Sequence, residues 1–215
     1  MKKELQKRIL SSIILIPLSF FFITKGSIFF NFFAIVILLI TLYEWHFLSL
    51  KKAYYLPGFI FIILSFYTFF FLRHDGDYRI FLLIILTCIA TDVGGYVFGK
   101  ILKGPKLTKI SPNKTYAGMF GGFLLSVILA IIYFKNLSNL SLSELNDEIG
   151  IQIMLIVLSI SFISQVGDLV ISFFKRKSMI KNTGKIIPGH GGLLDRIDGM
   201  IFAFPYTYIL MKIIQ

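Results

Sequence analysis

Long apolar runs separated by short polar connections make up most of the chain. The bilayer core offers no water to backbone groups, so each run that crosses it is expected to be helical. The first and last runs are short for the roughly 20 residues that a crossing needs. The pattern predicts an all-α, polytopic integral membrane protein with one membrane-embedded domain, 1–215. Its seven predicted transmembrane helices lie at about 9–24, 27–48, 56–72, 80–99, 116–134, 150–174 and 199–214.

The basic residues are distributed unevenly across the predicted membrane. With the N-terminus inside, seventeen of the 22 Lys and Arg residues fall on the inner side. Cytoplasmic loops carry such an excess, so the sequence predicts an N-in, C-out orientation. A half-inserted hairpin formed by the first two runs, which are separated only by Lys25 and Gly26, would leave the rest of this topology unchanged.

Composition excludes several classes of protein. A hydrophobic share of 56% and a mean hydropathy of +0.82 exclude an ordinary soluble domain. The single cysteine, Cys88, excludes a disulfide framework and a cysteine-based metal site. The net charge of +11 fits contact with anionic membrane lipid. No basic motif interleaved with aromatic residues is present, so nucleic acid is not an expected partner.

Two carboxylates, Asp92 and Asp168, lie within otherwise apolar runs. Burying an isolated charge at membrane depth costs at least about 2.5 kcal/mol, so each is a candidate functional residue. Both fall near the inner ends of their predicted helices, beside the two most basic loops. A structural ion pair with a lysine of those loops is the alternative interpretation.

Helical spacing groups further polar residues with these carboxylates. Residues four apart share a face of a helix, which places Ser172 and Arg176 on the face of Asp168, with Lys175 beside them. Asp195 and Asp198, three apart, also share a face. Carboxylate oxygens in such positions suit Mg²⁺, which prefers hard oxygen ligands.

Two polar loops complete the candidate chemistry. The glycines of PGHGG at residues 188–192 permit unusual backbone angles, so that successive N–H groups could face an anion. In the other loop, residues 100–114, Ser111 is a candidate cap for a helix that begins near Lys114. Lys114 and Thr115 are equally candidates for binding phosphate at that helix terminus.

The stretch GDLVISFFKRKSMIKNTGKIIPGHGGLLDRID resembles the C-terminal signature of the phosphatidate cytidylyltransferases, also called CDP-diacylglycerol synthases. That signature runs G-D-x-x-x-S-x-x-K-R, then K-D, then P-G-H-G-G-x-x-D-R-x-D. The pair Glu44-Trp45 and the segment KRIL are also similar to the family. A second family landmark, an Asp before Tyr and Gly followed by S-P-x-K-T, is similar to Asp92, Tyr96, Gly99, Ser111, Pro112, Lys114 and Thr115.

The resemblance implies an enzyme that joins phosphatidate to CTP, giving CDP-diacylglycerol and pyrophosphate. It implies a bacterial cytoplasmic membrane, an active site facing the cytoplasm, and a catalytic part at about 88–200. It also implies Mg²⁺, with a second cation left open, on Asp168, Asp195 and Asp198. A homodimer rests on the resemblance alone. The predicted catalytic residues are Asp168, Lys175, Arg176, His190, Asp195, Arg196 and Asp198. The predicted substrate-binding residues are Asp92, Ser111, Lys114, Thr115, Ser172, Lys181, Lys185, Gly189, Gly191 and Gly192.

Three positions depart from the family pattern. Asn182 stands where the family usually has Asp, Ile171 where Glu commonly precedes the matched serine, and Ala117 where Glu is frequent. Asn keeps an oxygen ligand but loses a charge, which leaves a non-catalytic homologue that binds lipid or nucleotide as one alternative. A transporter or channel for anions is another, and it predicts an internal repeat that the sequence lacks. An acceptor other than phosphatidate, such as an ether-lipid phosphate, is the third.

Overall fold

The computed structural model describes residues 2–137, 147–189 and 191–214. These residues form seven α-helices, and strand pairing among them is limited to two isolated bridges. The all-α class predicted from the sequence is confirmed. The helices are α1 (Lys2–Lys25), α2 (Ser27–Ser49), α3 (Tyr55–His74), α4 (Tyr78–Leu102), α5 (Tyr116–Leu137), α6 (Asp147–Lys177) and α7 (Leu194–Ile214).

Five of these helices, α2 to α6, are long and apolar enough to cross a membrane. In α1 the apolar stretch Ile13–Lys25 is shorter, and α7 begins with a charged turn. These are the two runs whose length the sequence already showed to be marginal. The polytopic membrane character is therefore confirmed, and the N-in, C-out orientation stays a prediction. The largest differences in boundaries are at α1, which begins at Lys2 instead of about residue 9, and at α7, which begins at Leu194 instead of about residue 199.

The chain divides into two compact units, each built from two separate segments. The first unit comprises Met1–Phe70 and Phe174–Ile197, and the second comprises Phe71–Phe173 and Asp198–Gln215. The prediction of one domain over 1–215 stays a prediction.

Aromatic packing fixes the C-terminal end of α6 within the first unit. The ring of Trp45 on α2 lies 5.4 Å from that of Phe174, and the Tyr54 ring lies 4.6 Å from Phe174. Ser178 forms a hydrogen bond of 2.8 Å with the Tyr54 hydroxyl and donates to the Leu48 carbonyl at 2.7 Å. Aromatic contacts of this kind add to the apolar area that they bury. They hold in place the start of the basic loop that follows α6.

Close packing of α4 and α5 is the main feature of the second unit. A Cβ atom added to Gly118 would lie 2.6 Å from the carbonyl oxygen of Gly95, so the two backbones are nearly in contact. Small residues allow membrane helices to approach in this way. Thr91 on α4 also shares a 2.7 Å hydrogen bond with Ser161 on α6. These contacts fix α4, α5 and α6 relative to one another. Asp168 lies on α6, and the loop at residues 103–115 connects α4 to α5.

Candidate functional site

The N-terminus of α7 is capped by a carboxylate from α2. Glu44 is 1% exposed, and its Oε1 accepts from the N–H of Leu193 at 2.9 Å. Its Oε2 accepts from the N–H of Leu194 at 2.7 Å and from the Thr183 hydroxyl at 2.9 Å. The first N–H groups of a helix have no partner within the helix, and the positive end of its dipole favours a negative group. Glu44 supplies an acceptor for two of these N–H groups and a negative charge at the positive end of the dipole. It also holds the loop that precedes α7 through Thr183.

Asp195 forms a second anchor in the same unit. Its Oδ1 accepts from Lys175 Nζ at 2.7 Å, and the two side chains are only 11% and 12% exposed. Its Oδ2 accepts from the N–H groups of Thr183 at 2.9 Å and Gly192 at 3.3 Å. A carboxylate offers about four acceptor positions, so most of the capacity of Asp195 is used within the protein. This side chain therefore ties both ends of the loop to the end of α6.

The loop between these anchors is closed by its own backbone. Ile187 and Gly191 exchange two hydrogen bonds of 3.0 and 3.1 Å. Gly189 and Gly191 have φ angles of 77° and 91°, a region that glycine occupies at little cost. The N–H groups of Gly191 and Gly192 thus have acceptors within the protein, and the substrate-binding role of these glycines stays a prediction. His190, predicted to be catalytic, lies outside the described residues.

Alanine at Gly192 is expected to destabilise the protein. A Cβ atom there would lie 2.6 Å from Glu44 Oε2 and 2.7 Å from the N atom of Gly184. Forcing extra volume into such a packed site costs about 1–3 kcal/mol. Thermal unfolding in detergent should show a lower midpoint for Gly192→Ala. Gly150→Ala is the matched control, because a Cβ at Gly150 meets nothing within 4 Å. An equal midpoint for the two variants would contradict the packing described here.

Several predicted basic residues border this loop with their side chains exposed. Arg176, Lys181, Lys185 and Arg196 are all exposed. A surface depression of about 250 Å³ is lined by Arg176, Met179, Ile180 and Lys181. Clustered positive charge at a surface raises the local concentration of anions. The first unit therefore presents a basic face beside the loop that Glu44 and Asp195 hold.

Asp168 lies in the second unit and is paired with a lysine. Lys114 Nζ lies 2.5 Å from its Oδ2, and the Ser172 hydroxyl donates to its Oδ1 at 3.2 Å. The ion pair that was the alternative interpretation of this carboxylate is therefore present. The Lys114 and Asp168 side chains remain 25% and 27% exposed. Water reaches both partners, so opening the pair for a ligand costs little.

The loop that carries Lys114 folds back on itself before α5. Leu107 N–H donates to the Lys114 carbonyl at 2.8 Å, and an isolated bridge pairs Lys106 with Thr115. A surface depression of about 380 Å³ is lined by Lys106, Leu107, Thr108, Lys109 and Pro112. The turn thus presents exposed lysines near the Lys114–Asp168 pair.

The predicted cap of α5 is wrong. The helix begins at Tyr116, and the Thr115 hydroxyl accepts from the N–H of Gly118 at 3.0 Å. Thr115 is therefore the N-cap. Ser111 lies in the preceding turn, where its N–H donates to the Thr108 hydroxyl oxygen at 3.2 Å.

The remaining predicted carboxylates differ in exposure. Asp92 is exposed on α4, whereas Asp198 is buried and its Oδ1 accepts from the N–H of Gly199 at 2.9 Å. Within the ranges described, no three His, Cys, Asp or Glu side chains form a group that could hold a metal ion. Mg²⁺ often binds through one or two carboxylates and completes its shell with water and substrate phosphate. Asp168, partly exposed, fits that mode, and an all-protein cage is not formed by the described residues.

Sequence reasoning did not assign a role to Glu44 or Thr183. Glu44 lies in an apolar run, so the rule applied to Asp92 and Asp168, that a carboxylate at membrane depth is a functional candidate, also identifies it. Thr183 has no such signal, because its two contacts depend on the folded loop.

Comparison with known proteins gives a consistent result. Residues 54–214 match the cytidylyltransferase family, a range that includes both Asp168 and Asp195. A protein of Staphylococcus haemolyticus (strain JCSC1435) named phosphatidate cytidylyltransferase is 37% identical over 163 residues, which are 75% of this chain and 60% of the relative. A protein of the same name from Bacillus subtilis (strain 168) is 38% identical over 158 residues, 72% of this chain and 56% of the relative.

The chain thus spans about 60% of the length of the curated relatives it matches. The match nevertheless covers three quarters of this chain, and the family match over residues 54–214 includes the C-terminal signature at residues 167–198. The resemblance seen in the sequence is confirmed: the chain belongs to the cytidylyltransferase family.

Proposed function

We propose that this protein transfers the cytidylyl group of CTP to phosphatidate, releasing pyrophosphate and giving CDP-diacylglycerol for phospholipid synthesis. The observation that carries the proposal is the family match over residues 54–214, together with relatives named phosphatidate cytidylyltransferase. The five apolar helices support a substrate that stays in the bilayer. No comparable observation favours a transporter or a non-catalytic homologue.

The basic residues of the first unit suit a nucleoside triphosphate. Lys181, Lys185 and Arg196 are exposed beside the loop anchored by Glu44 and Asp195. Hydrogen bonds between charged partners are stronger than neutral ones, and fixed positive groups stabilise charge that develops on a leaving group. We assign these side chains to the triphosphate of CTP, whose β- and γ-phosphates depart as pyrophosphate.

The chemistry needs positioning more than proton transfer. An oxygen of the phosphatidate phosphate attacks the α-phosphorus of CTP and forms a new P–O bond. The bond from that phosphorus to the oxygen bridging the α- and β-phosphates breaks, and the electron pair leaves with pyrophosphate. The attacking oxygen is already anionic, so no general base is required. Transfers of this type depend on alignment and charge neutralisation.

Asp168, the most exposed of the three carboxylates that the family resemblance assigns to the metal, is the proposed Mg²⁺ ligand, and metal binding by Asp195 and Asp198 stays a prediction. Mg²⁺ bound there would offset negative charge on the phosphate oxygens. Lys114 lies 2.5 Å from Asp168 Oδ2, so a cation that binds this carboxylate would compete with the lysine. We assign the displaced lysine to a substrate phosphate.

The proposed setting is the cytoplasmic membrane of a bacterium, with the site at its inner face. The curated relatives are bacterial, and the positive-inside distribution favours the N-in, C-out orientation. CTP is soluble and phosphatidate is a membrane lipid, so their reaction belongs at an interface. A homodimer is part of the same proposal.

A panel of acceptors tests the proposal. Purified protein in detergent micelles would receive CTP and Mg²⁺ with phosphatidate, with its ether-linked analogue, or with diacylglycerol, which has no phosphate. Product is expected with phosphatidate and none with diacylglycerol. Product with the ether-linked lipid alone would show that the acceptor is an ether-lipid phosphate and not phosphatidate. No product with any of them would support the non-catalytic homologue instead.

Asp in place of Asn182 is expected to leave turnover unchanged or to raise it by up to about tenfold. Asn182 is exposed, and its side chain lies within reach of a Cβ added at Gly191, so it borders the anchored loop. A carboxylate there keeps the oxygen ligand and adds a charge. The assay is CDP-diacylglycerol formation at saturating substrates. Asn113→Asp, the same change at an exposed position of the other loop, is the matched control. A marked loss confined to Asn182→Asp would show that the site depends on the amide.

A further inference from the structure

We infer that Glu44 is a positioning residue for nucleotide binding, a role that rests on the proposed function. It acts through the anchored segment, which is defined here as residues 183–189 and 191–194. Glu44 is the only carboxylate on α2, and it is almost completely buried. A charged group in that position is costly unless it is fully hydrogen-bonded. Its two oxygens accept the three hydrogen bonds described above, all from this segment or the first residue of α7.

Thr183 connects Glu44 to the predicted catalytic residue Asp195. Its hydroxyl donates to Glu44 Oε2 at 2.9 Å, and its N–H donates to Asp195 Oδ2 at 2.9 Å. Asp195 in turn accepts from Lys175. The position of Asp195 therefore depends on a carboxylate 151 residues away in the sequence. Glu44 contacts neither substrate in this account, so its effect passes through the segment.

Two glycines of the segment leave room for this carboxylate. A Cβ at Gly184 would lie 2.5 Å from Glu44 Oε1, and one at Gly192 would lie 2.6 Å from Oε2. The glycines thus serve a local purpose, the close approach of the segment to Glu44. Exposed Lys185 lies within the segment, Lys181 shortly before it, and Arg196 shortly after it. If the segment moves, the basic groups assigned to the triphosphate move with it.

Glutamine cannot replace this carboxylate in either orientation of its amide. With Nε2 at the position of Oε1, the amide meets the N–H of Leu193; at the position of Oε2, it meets the N–H of Leu194. The first arrangement leaves the Leu193 N–H without an acceptor, and the second does the same to the Leu194 N–H; a buried donor without an acceptor is strongly unfavourable. The shape of the side chain is unchanged, so the variant isolates the hydrogen bonds. Glu44→Asp keeps both oxygens but is one methylene shorter, and should restore part of the function.

Hydrogen exchange and steady-state kinetics on the whole protein in detergent test the inference. In Glu44→Gln, backbone exchange in peptides covering residues 183–195 is expected to rise at least about tenfold. The KM for CTP is expected to rise at least about tenfold, with the KM for phosphatidate changed less than about threefold. Thr41→Val is the matched control. Thr41 is buried one turn earlier on α2, and its hydroxyl donates to the Ile37 carbonyl of its own helix.

The outcomes separate this inference from the proposed function. Unchanged exchange in Glu44→Gln, or faster exchange with an unchanged KM for CTP, would overturn the positioning role. If Glu44→Gln does not fold, Thr183→Val removes one of the three hydrogen bonds and should give a smaller change in the same direction; no change there would also overturn it. An inactive wild-type protein would overturn the proposed function and the nucleotide role together, while exchange would still show whether Glu44 holds the segment.

Discussion

Asparagine in place of Asp195 is expected to lower both turnover and stability. Oδ1 of Asp195 faces Lys175 and Oδ2 faces two backbone N–H groups, so the Asn NH₂ group opposes a donor in either orientation. Lys175, only 12% exposed, also loses its counter-charge. Removing one partner of a buried ion pair lowers the free energy of unfolding by about 3–5 kcal/mol. Turnover should fall at least about a hundredfold, because the site loses a positioned charge. CDP-diacylglycerol formation and thermal unfolding in detergent measure the two effects.

A second variant separates the structural effect of Asp195 from the chemical one. Asp195→Asn combined with Lys175→Met removes both charges, so most of the lost stability should return. Turnover should stay low if Asp195 or Lys175, which is also a predicted catalytic residue, serves the reaction. Recovery of turnover together with stability would show that Asp195 is only an anchor, and the metal and catalytic assignments at this residue would be withdrawn.

Asparagine in place of Asp168 is expected to lower turnover to a similar extent with little effect on stability. The Lys114–Asp168 pair is about one quarter exposed, and partly solvated pairs contribute about 1 kcal/mol or less. The proposed role of this carboxylate in metal binding depends on its charge, so turnover should fall at least about a hundredfold. The same two measurements apply. The contrast between Asp168 and Asp195 follows from their different burial.

Asp77→Asn provides the matched control for Asp168. Asp77 caps α4, where its Oδ1 accepts from the N–H of Arg79 at 2.8 Å, and Asn is an equally good cap. Its turnover should stay within about twofold of wild type. Activity of Asp168→Asn close to that of this control would contradict the assignment of Asp168 to the metal.

The sequence predicts the helices well because a long apolar run in the bilayer core has few alternatives to a helix. It is less successful where helix ends depend on contacts from distant residues. The start of α7 carries Asp195 and Arg196, which a hydropathy pattern assigns to a loop; Glu44 makes this turn helical by accepting from Leu193 and Leu194. The N-cap of α5 is Thr115, whereas the sequence pattern indicated Ser111 as a candidate. The reason is similar, because the loop before α5 folds back through the Lys106–Thr115 bridge.

In the candidate site, too, the sequence predicts features that depend on local pattern and misses those that depend on distant contacts. Asp168 and Lys114 are identifiable from the sequence because a carboxylate near an apolar helix end needs a partner, and the structure pairs them. Asp195 is identifiable as important, but its bonds to Thr183 and Gly192 are not, since they arise only when the loop closes. The glycine-rich stretch predicts N–H groups that face an anion. Two of them, those of Gly191 and Gly192, stabilise the loop itself by donating to Ile187 and Asp195, which the pattern of glycines alone does not indicate.

Tracing the phosphorus atoms of CTP tests the central claim most directly. Purified protein in micelles with phosphatidate and Mg²⁺ would receive CTP labelled at the α-phosphate or, in a parallel reaction, at the γ-phosphate. We expect the α-label to enter a lipid that migrates as CDP-diacylglycerol, the γ-label to appear as pyrophosphate in equal amount, and EDTA to stop both. Well-folded protein that incorporates no α-label into lipid, or releases γ-label without lipid product, would contradict it.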